Sequence, residues 1–208
     1  MDGKEKILDV ALRVFAERGL QKAKISDIAE SAGMSKKTIY KHFQGKEDLI
    51  LQVYSSLIWG INNQVEELAN SDKSLPNKLA GIVKIAADKL DIITPALISD
   101  AKGRLPAVKG FLGQYIENAV FNRFRALIED GIKSNDIKSN VGVDSVILLY
   151  RDAIFSFIYM RFNKNVPEGV NVKQPLSVFC EALVTIFRGI LVEESERELD
   201  QYLSQIKY

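Results

Sequence analysis

The chain has 208 residues, enough for one large domain or a small one beside a larger one, and 47% hydrophobic with 26% charged residues excludes a disordered polymer. A formal net charge of +1 means that contact with nucleic acid or an acidic membrane must come from a local patch. Cys180 is the only cysteine, so no disulfide can form within the chain, and MDGKEKILDV has no apolar signal core; a cytoplasmic protein is expected.

Apolar residues then recur at helical spacing. Ile7, Leu8, Ala11, Leu12 and Phe15 predict a first helix, ended by Gly19. Ile25, Ile28 and Ala29 begin a short second helix that Gly33 closes. Ser35 is a good N-cap for a third, with Ile39 and Phe43 on its inner face. Gly45 breaks it, and Lys46 opens a long helix along Ile50, Val53, Tyr54, Leu57, Ile58, Ile61, Val65 and Leu68. Leu49 to Val65 is free of charge, but Gln52, Ser55, Ser56, Asn62, Asn63 and Gln64 interrupt it. It is also shorter than the roughly 20 apolar residues of a membrane span, so a buried helix is expected. After Asn70-Ser71-Asp72, further helices are predicted at about 75–92, 95–102, 106–130, 143–163 and 176–191. Breaks are expected at Pro76, Pro95, Pro106, Gly131, and Pro167 to Pro175. Leu199, Tyr202, Leu203 and Ile206 share one stripe of a short amphipathic tail helix. No strand or internal repeat stands out, and the expected class is all-α.

Two short helices joined by Gly33-Met34 make a helix-turn-helix. Ala29 is small enough to let them approach, while Ile28, Met34, Ile39 and Phe43 face Leu12 and Phe15. Exposed on the second helix are Ser35, Lys36, Lys37, Thr38, Tyr40, Lys41 and His42. From Leu20 to Lys46, six lysines stand against two acids, a local net of four positive charges in a chain whose total is +1. Phosphates suit such a patch. A helix of this length fits the major groove, which gives Lys36, Lys37 and Thr38 to base edges and Tyr40, Lys41 and His42 mainly to phosphates. Lys46 reaches phosphate from the next helix, with the helix amides behind it. A lysine-rich helix is more often a plain solvated face, and Tyr40 and His42 suit a half-buried amphipathic position. The glycine turn and the absence of any acid between Ser31 and Gln44 favour nucleic acid.

ISDIAESAGMSKKTIYKHFQGKEDLI resembles the DNA-binding unit of the TetR family of bacterial and archaeal regulators. Ile28-Ala29, Ala32-Gly33, Ser35, Thr38, Tyr40, His42-Phe43 and Lys46-Glu47-Asp48-Leu49 fill that family's pattern. Relatives often carry a threonine pair before the first of these helices, capping it and touching phosphate. Here Ala23-Lys24 stands instead, so Lys24 is offered to phosphate but cannot cap, and Ser26 sits where relatives often contact DNA. The residue after Lys36, frequently glycine in the family, is Lys37; this changes which base is read, so no operator sequence carries over.

The resemblance implies a three-helix DNA-binding domain at about 1–47 and a helical ligand-binding and dimerisation domain at about 48–208. It also implies action as a repressor: a dimer on a palindromic operator, released by a small-molecule effector. GIKSNDIKSNVGVDSV is similar to the loop often found before the first dimer helix. Independently, Val178, Phe179, Ala182, Leu183, Ile186, Phe187 and Ile190 form an apolar stripe suited to a homodimer through the last two long helices.

Effector contacts are sought where polar groups interrupt apolar helices. Arg151 and Asp152 interrupt VILLYRDAIFSFIYM and either pair structurally, meet a subunit partner or orient a ligand; structural pairing is the commoner outcome. Arg123 and Arg125 raise the same question more weakly. Trp59, Phe111, Tyr115, Phe121, Phe124 and Phe155 are candidates to line a cavity, although aromatics at this spacing are more often core. One histidine and one cysteine give no basis for a metal site, and no GxSxG, P-loop, GxGxxG or CxxC motif occurs. Neither a cofactor nor an enzyme is expected. The rivals are a helical small-molecule-binding or scaffold protein whose basic helix has no operator, and a regulator acting on protein partners or anionic membrane.

Overall fold

The computed structural model describes residues 2–90, 121–163 and 174–206, with side chains as far as Phe157 in the second of these segments. The helices are α1 (Gly3–Arg18), α2 (Ile25–Ala32), α3 (Lys36–His42), α4 (Lys46–Ala69), α5 (Leu75–Leu90), α6 (Asn122–Lys133), α7 (Val143–Asn163), α8 (Pro175–Ile190) and α9 (Glu193–Leu203). The chain is all-α: a helix-turn-helix unit, then a larger helical unit. Among the described residues the only extended pairing is an isolated antiparallel bridge between Ile137 and Leu191. None of the described helices is long and apolar enough to cross a membrane. Two compact units can be distinguished, the first reaching Gly60 along α4 and the second beginning at Ile61.

Each unit has its own core. In the first, α1 packs on α2 and α2 on α3. Ile7, Ala11, Phe15, Ile28, Ile39 and Leu49 are fully buried, with Phe43 close behind at 1% exposure. The helix ends follow from local chemistry. Gly19 ends α1 at φ 79°, ψ 157°, backbone territory that is essentially glycine's alone. Gly33 ends α2 in the left-handed region at φ 66°, ψ 35°, and its N–H donates back to Ala29 and Glu30.

In the second unit α8 packs against α5 and α7, α9 against α5, and α6 against α7. Phe124 stacks on Tyr150 with ring centroids 4.0 Å apart and meets Phe187 at 5.9 Å. Burial pushes the Tyr150 phenol up to about 12, so it stays neutral at ordinary pH. The loop after α6 is clipped to the α8–α9 junction. Lys138 N–H donates to Ile190 O and Val192 N–H to Asp136 O, each at 3.0 Å, while the buried Ser195 hydroxyl donates to Asp136 Oδ1 at 2.8 Å. Asn135, at φ 63°, supplies the left-handed residue of this turn.

Two expected breaks are not breaks. Pro76 lies inside the first turn of α5, where a missing N–H costs nothing because the first turn has no intrahelical acceptor for it. Gly131 lies within α6 and is buried. A Cβ there would come within 2.5 Å of Leu75 Cδ2 and 2.7 Å of Ile137 Cδ1, so the glycine admits close neighbours rather than ending the helix. The helix predicted at 106–130 therefore continues to Lys133; the part before 121, and the helix predicted at 95–102, lie outside the described residues.

Candidate nucleic-acid interface

The third helix is set on its core by three local devices. The left-handed Gly33 turns the chain, the Ser35 hydroxyl accepts from Thr38 N–H at 3.1 Å as the N-cap, and Ile39 and Phe43 anchor the inner face. The Ser35 and Thr38 hydroxyls also bond each other at 2.9 Å. With Ile39 turned inward, Lys36, Lys37, Tyr40, Lys41 and His42 are all exposed, Tyr40 by 57%. Tyr40 is thus not a half-buried residue of the core. The His42 imidazole lies near the start of α1, 3.8 Å from where a Cβ on Gly3 would sit, and the Lys4 ammonium stands 5.9 Å from the Phe43 ring centroid.

The flanking cations divide into two kinds. Lys24 occupies the N-cap position of α2 and, as its chemistry requires, accepts nothing there; instead its backbone N–H donates to Asp27 Oδ2 at 3.0 Å. Ser26 is half-buried in the same first turn. Lys46, at the start of α4, donates its ammonium to Gln21 O at 3.1 Å and so ties the α1–α2 turn to α4, with further N–H donors left over. Glu17, Arg18, Lys22, Lys24 and Asp27 line an open depression of about 440 Å³ at this end of the unit.

Asp27 and Asp48 play structural parts that their sequence positions do not advertise. Asp27 accepts from Lys24 N–H and pairs with Arg18 at 3.0 Å, joining the end of α1 to the start of α2. The only sequence signal for the first contact is its place three residues after the N-cap, the capping-box spacing. The Lys24 backbone bond, aided by Arg18, holds the Asp27 carboxyl below its ordinary 3.8. A depressed folded pKa contributes stability above the ordinary value, which is lost as pH falls through the folded one. The melting-temperature gap between the wild type and Asp27→Ala is accordingly expected to be widest at neutral pH and to narrow below pH 3.8. Thermal melts followed by circular dichroism across that range check it. Asp48 accepts from Gln52 Nε2 at 2.8 Å and from Gln44 N–H at 2.7 Å, closing the turn between α3 and α4, and these bonds lower its carboxyl pKa.

The effector candidates are dispersed. Phe124 belongs to the second unit's core, and Trp59, 64% exposed, lies on α4 in the first unit. Arg151 and Asp152 bond each other at 2.9 Å on the surface of α7, with Phe155, 44% exposed, one turn on. The pair is not buried, although apolar residues flank it on both sides in sequence. Arg123 reaches Glu66 at 3.1 Å, and Arg125 reaches Asp144 at 2.6 Å. Phe111 and Tyr115 lie outside the described residues. Among the described residues no group of three His, Cys, Asp or Glu side chains is placed to hold a metal ion.

Residues 7–53 match the family described as Bacterial regulatory proteins, tetR family. The match covers the helix-turn-helix just described and the start of α4, so this unit is of the TetR kind. It is 25% identical over 183 residues to the HTH-type transcriptional repressor KstR2 of Rhodococcus jostii, covering 86% of this chain and 90% of that protein. It is 28% identical over 163 residues to the Fatty acid metabolism regulator protein of Bacillus subtilis, covering 73% and 77%. The fold is similar to that of the transcriptional regulator FadR from Bacillus subtilis, solved in complex with stearoyl-CoA. That structure shows a TM-score of 0.64 and 19% identity, with 89% of this chain and 98% of that one covered.

Proposed function

We propose that the protein is a homodimeric transcriptional repressor acting in the cytoplasm, which binds a palindromic operator and leaves it when a small molecule occupies the larger unit. One observation carries the reading: a rigidly capped α3 presents Lys36, Lys37, Tyr40 and Lys41 to solvent with no carboxylate among them. In this reading Lys36, Lys37 and Thr38 meet base edges in the major groove. Lys24, Ser26, Ser35, Tyr40, Lys41, His42 and Lys46 grip the backbone around them.

A single helix of seven residues reads too few bases for a unique address, and a dimer doubles the site. Two such helices would be held about 34–36 Å apart, one turn of the duplex. The contact we assign to the dimer is the outer face of α7, where Leu148, Leu149 and Phe155 are 47%, 57% and 44% exposed; the α8 stripe expected there is largely spent inside its own unit, with Phe179, Leu183, Phe187 and Ile190 all in the core. Phe155→Glu is expected to convert dimer to monomer in analytical ultracentrifugation and to weaken operator binding; an unchanged dimer would remove this face from the interface.

For the effector, the names of the Bacillus subtilis relative and solved structure point to fatty-acid metabolism and to an acyl-CoA ligand. We assign this chain an effector of the same kind, an apolar tail bearing a thioester carbonyl. Its binding would favour a dimer whose recognition helices no longer match successive grooves, and affinity for DNA would fall by the effector's preference for that state. Arg151 and Asp152 we assign to structure, since each already satisfies the other.

The test is fluorescence anisotropy with tiled DNA from the gene's own upstream region, unrelated DNA as competitor, and a salt series. Tight binding to one tile with a steep salt slope is expected. Equal, weak binding to every tile would overturn the reading and favour a helical binding protein without an operator.

A further inference from the structure

Among the described residues one buried side-chain polar atom has no hydrogen-bond partner: Asn62 Nδ2. Asn62 is 5% exposed and lies on α4 in the second unit. Val65 and Ala69, one and two turns further along, pack against that unit's apolar core. A buried N–H without an acceptor carries its full desolvation penalty, whereas an apolar side chain of similar shape would carry none. The neighbouring polar group is Arg123 of α6. Its Nη1 donates to the Asn62 carbonyl oxygen at 3.4 Å and its Nη2 to Glu66 at 3.1 Å. Arg123 is thereby neutralised by Glu66, so the position combines an unused donor with no net charge.

We infer that Asn62 is the polar anchor of the effector site, donating its carboxamide N–H to the uncharged carbonyl oxygen that ends the effector's apolar tail. The inference rests on the effector reading above and narrows it to a chemical group and a residue. A carboxylate is the poorer ligand here, because its charge would be desolvated next to a cation already paired. A carbonyl needs one donor and brings no charge. With Val65 and Ala69 of the same helix packed on the apolar core, that one bond becomes the orienting contact.

The test uses the full-length chain and three probes of matched length: undecane, 2-undecanone and undecanoate. Trp59, the only tryptophan, lies on the same helix three residues before Asn62 and reports binding by its fluorescence. The ratio of 2-undecanone to undecane affinity is expected to be about three- to tenfold higher in the wild type than in Asn62→Leu or Asn62→Ala, the worth of one hydrogen bond. Asn62→Leu should also melt no lower than the wild type, since it removes an unpaired donor and fills the same space.

The proposal is overturned by any of three results. Undecanoate could bind the wild type most tightly, or both variants could keep the wild type's ketone-to-alkane ratio. Asn62→Leu could melt well below the wild type, which would mean that the carboxamide serves a structural bond. The regulator reading stands or falls separately. A protein that ignores DNA but prefers the ketone through Asn62 loses the operator and keeps the anchor.

Discussion

Phe43→Ala is expected to abolish DNA binding by dismantling the first unit rather than by removing a contact. Phe43 is 1% exposed at the end of α3, and its N–H donates to Ile39 O as that helix closes. It packs in one cluster with Ile7, Phe15, Ile28, Ile39 and Leu49, from all four helices of the unit. Truncating a buried phenylalanine to alanine costs about 3–5 kcal/mol, the lost transfer energy plus the cavity left behind. Small domains have only about 5–15 kcal/mol in total, so a large share of this unit's margin would go. Circular dichroism should show an early transition for the first unit while the Phe124–Tyr150–Phe187 core of the second, which shares none of these residues, melts later. Phe43→Leu, which keeps most of the volume, should cost less than about 1.5 kcal/mol and retain binding. A full-affinity Phe43→Ala protein would mean that α3 is held by something other than this core.

The second large effect is on recognition alone. Lys36 and Lys37 are exposed and, among the described residues, their side chains make no bond, so the double change Lys36→Ala, Lys37→Ala should leave the melting curve nearly unchanged. A good base contact is worth about 1–3 kcal/mol, and tenfold in affinity is about 1.4 kcal/mol. The double variant is therefore expected to lose roughly one to four powers of ten on the operator, with much less loss on unrelated DNA. Lys46→Ala is the contrast. It removes a phosphate donor and the bond to Gln21 O, so binding to all DNA should weaken alike and the salt slope should fall by about one. Equal losses on every sequence for both variants would make α3 a backbone-gripping helix rather than a reader.

Much of the first unit was legible from residues alone because its signals are short-ranged. Gly19 and Gly33 end helices through backbone angles that other residues avoid. Ser35 caps through an acceptor three positions from its donor. The alternation of Ile39 and Phe43 with lysines decides which side of α3 is wet. The same rules misread Gly131, because in sequence a breaker and a close-approach glycine look alike. Only the presence of Leu75 and Ile137 against it distinguishes them. Arg151 and Asp152 pair as the commoner reading expects, but on the surface rather than among apolar helices, for a related reason. Apolar neighbours in sequence point elsewhere around a helix, and the pair faces outward with its side chains 40% and 62% exposed.

The sequence by itself determined the all-α class, the helix-turn-helix and its basic outer face, because periodicity, capping and turn preference act over a few residues. Tertiary structure alone decided how distant groups are spent. Lys46 is tied to a carbonyl 25 positions away, and Asp136 to a serine 59 positions away. Among the described residues Asn62 is left as a buried donor without a hydrogen-bond partner. Partnership over such separations depends on which helix faces pack together, and that is settled by burial of the whole apolar surface rather than by any local pattern.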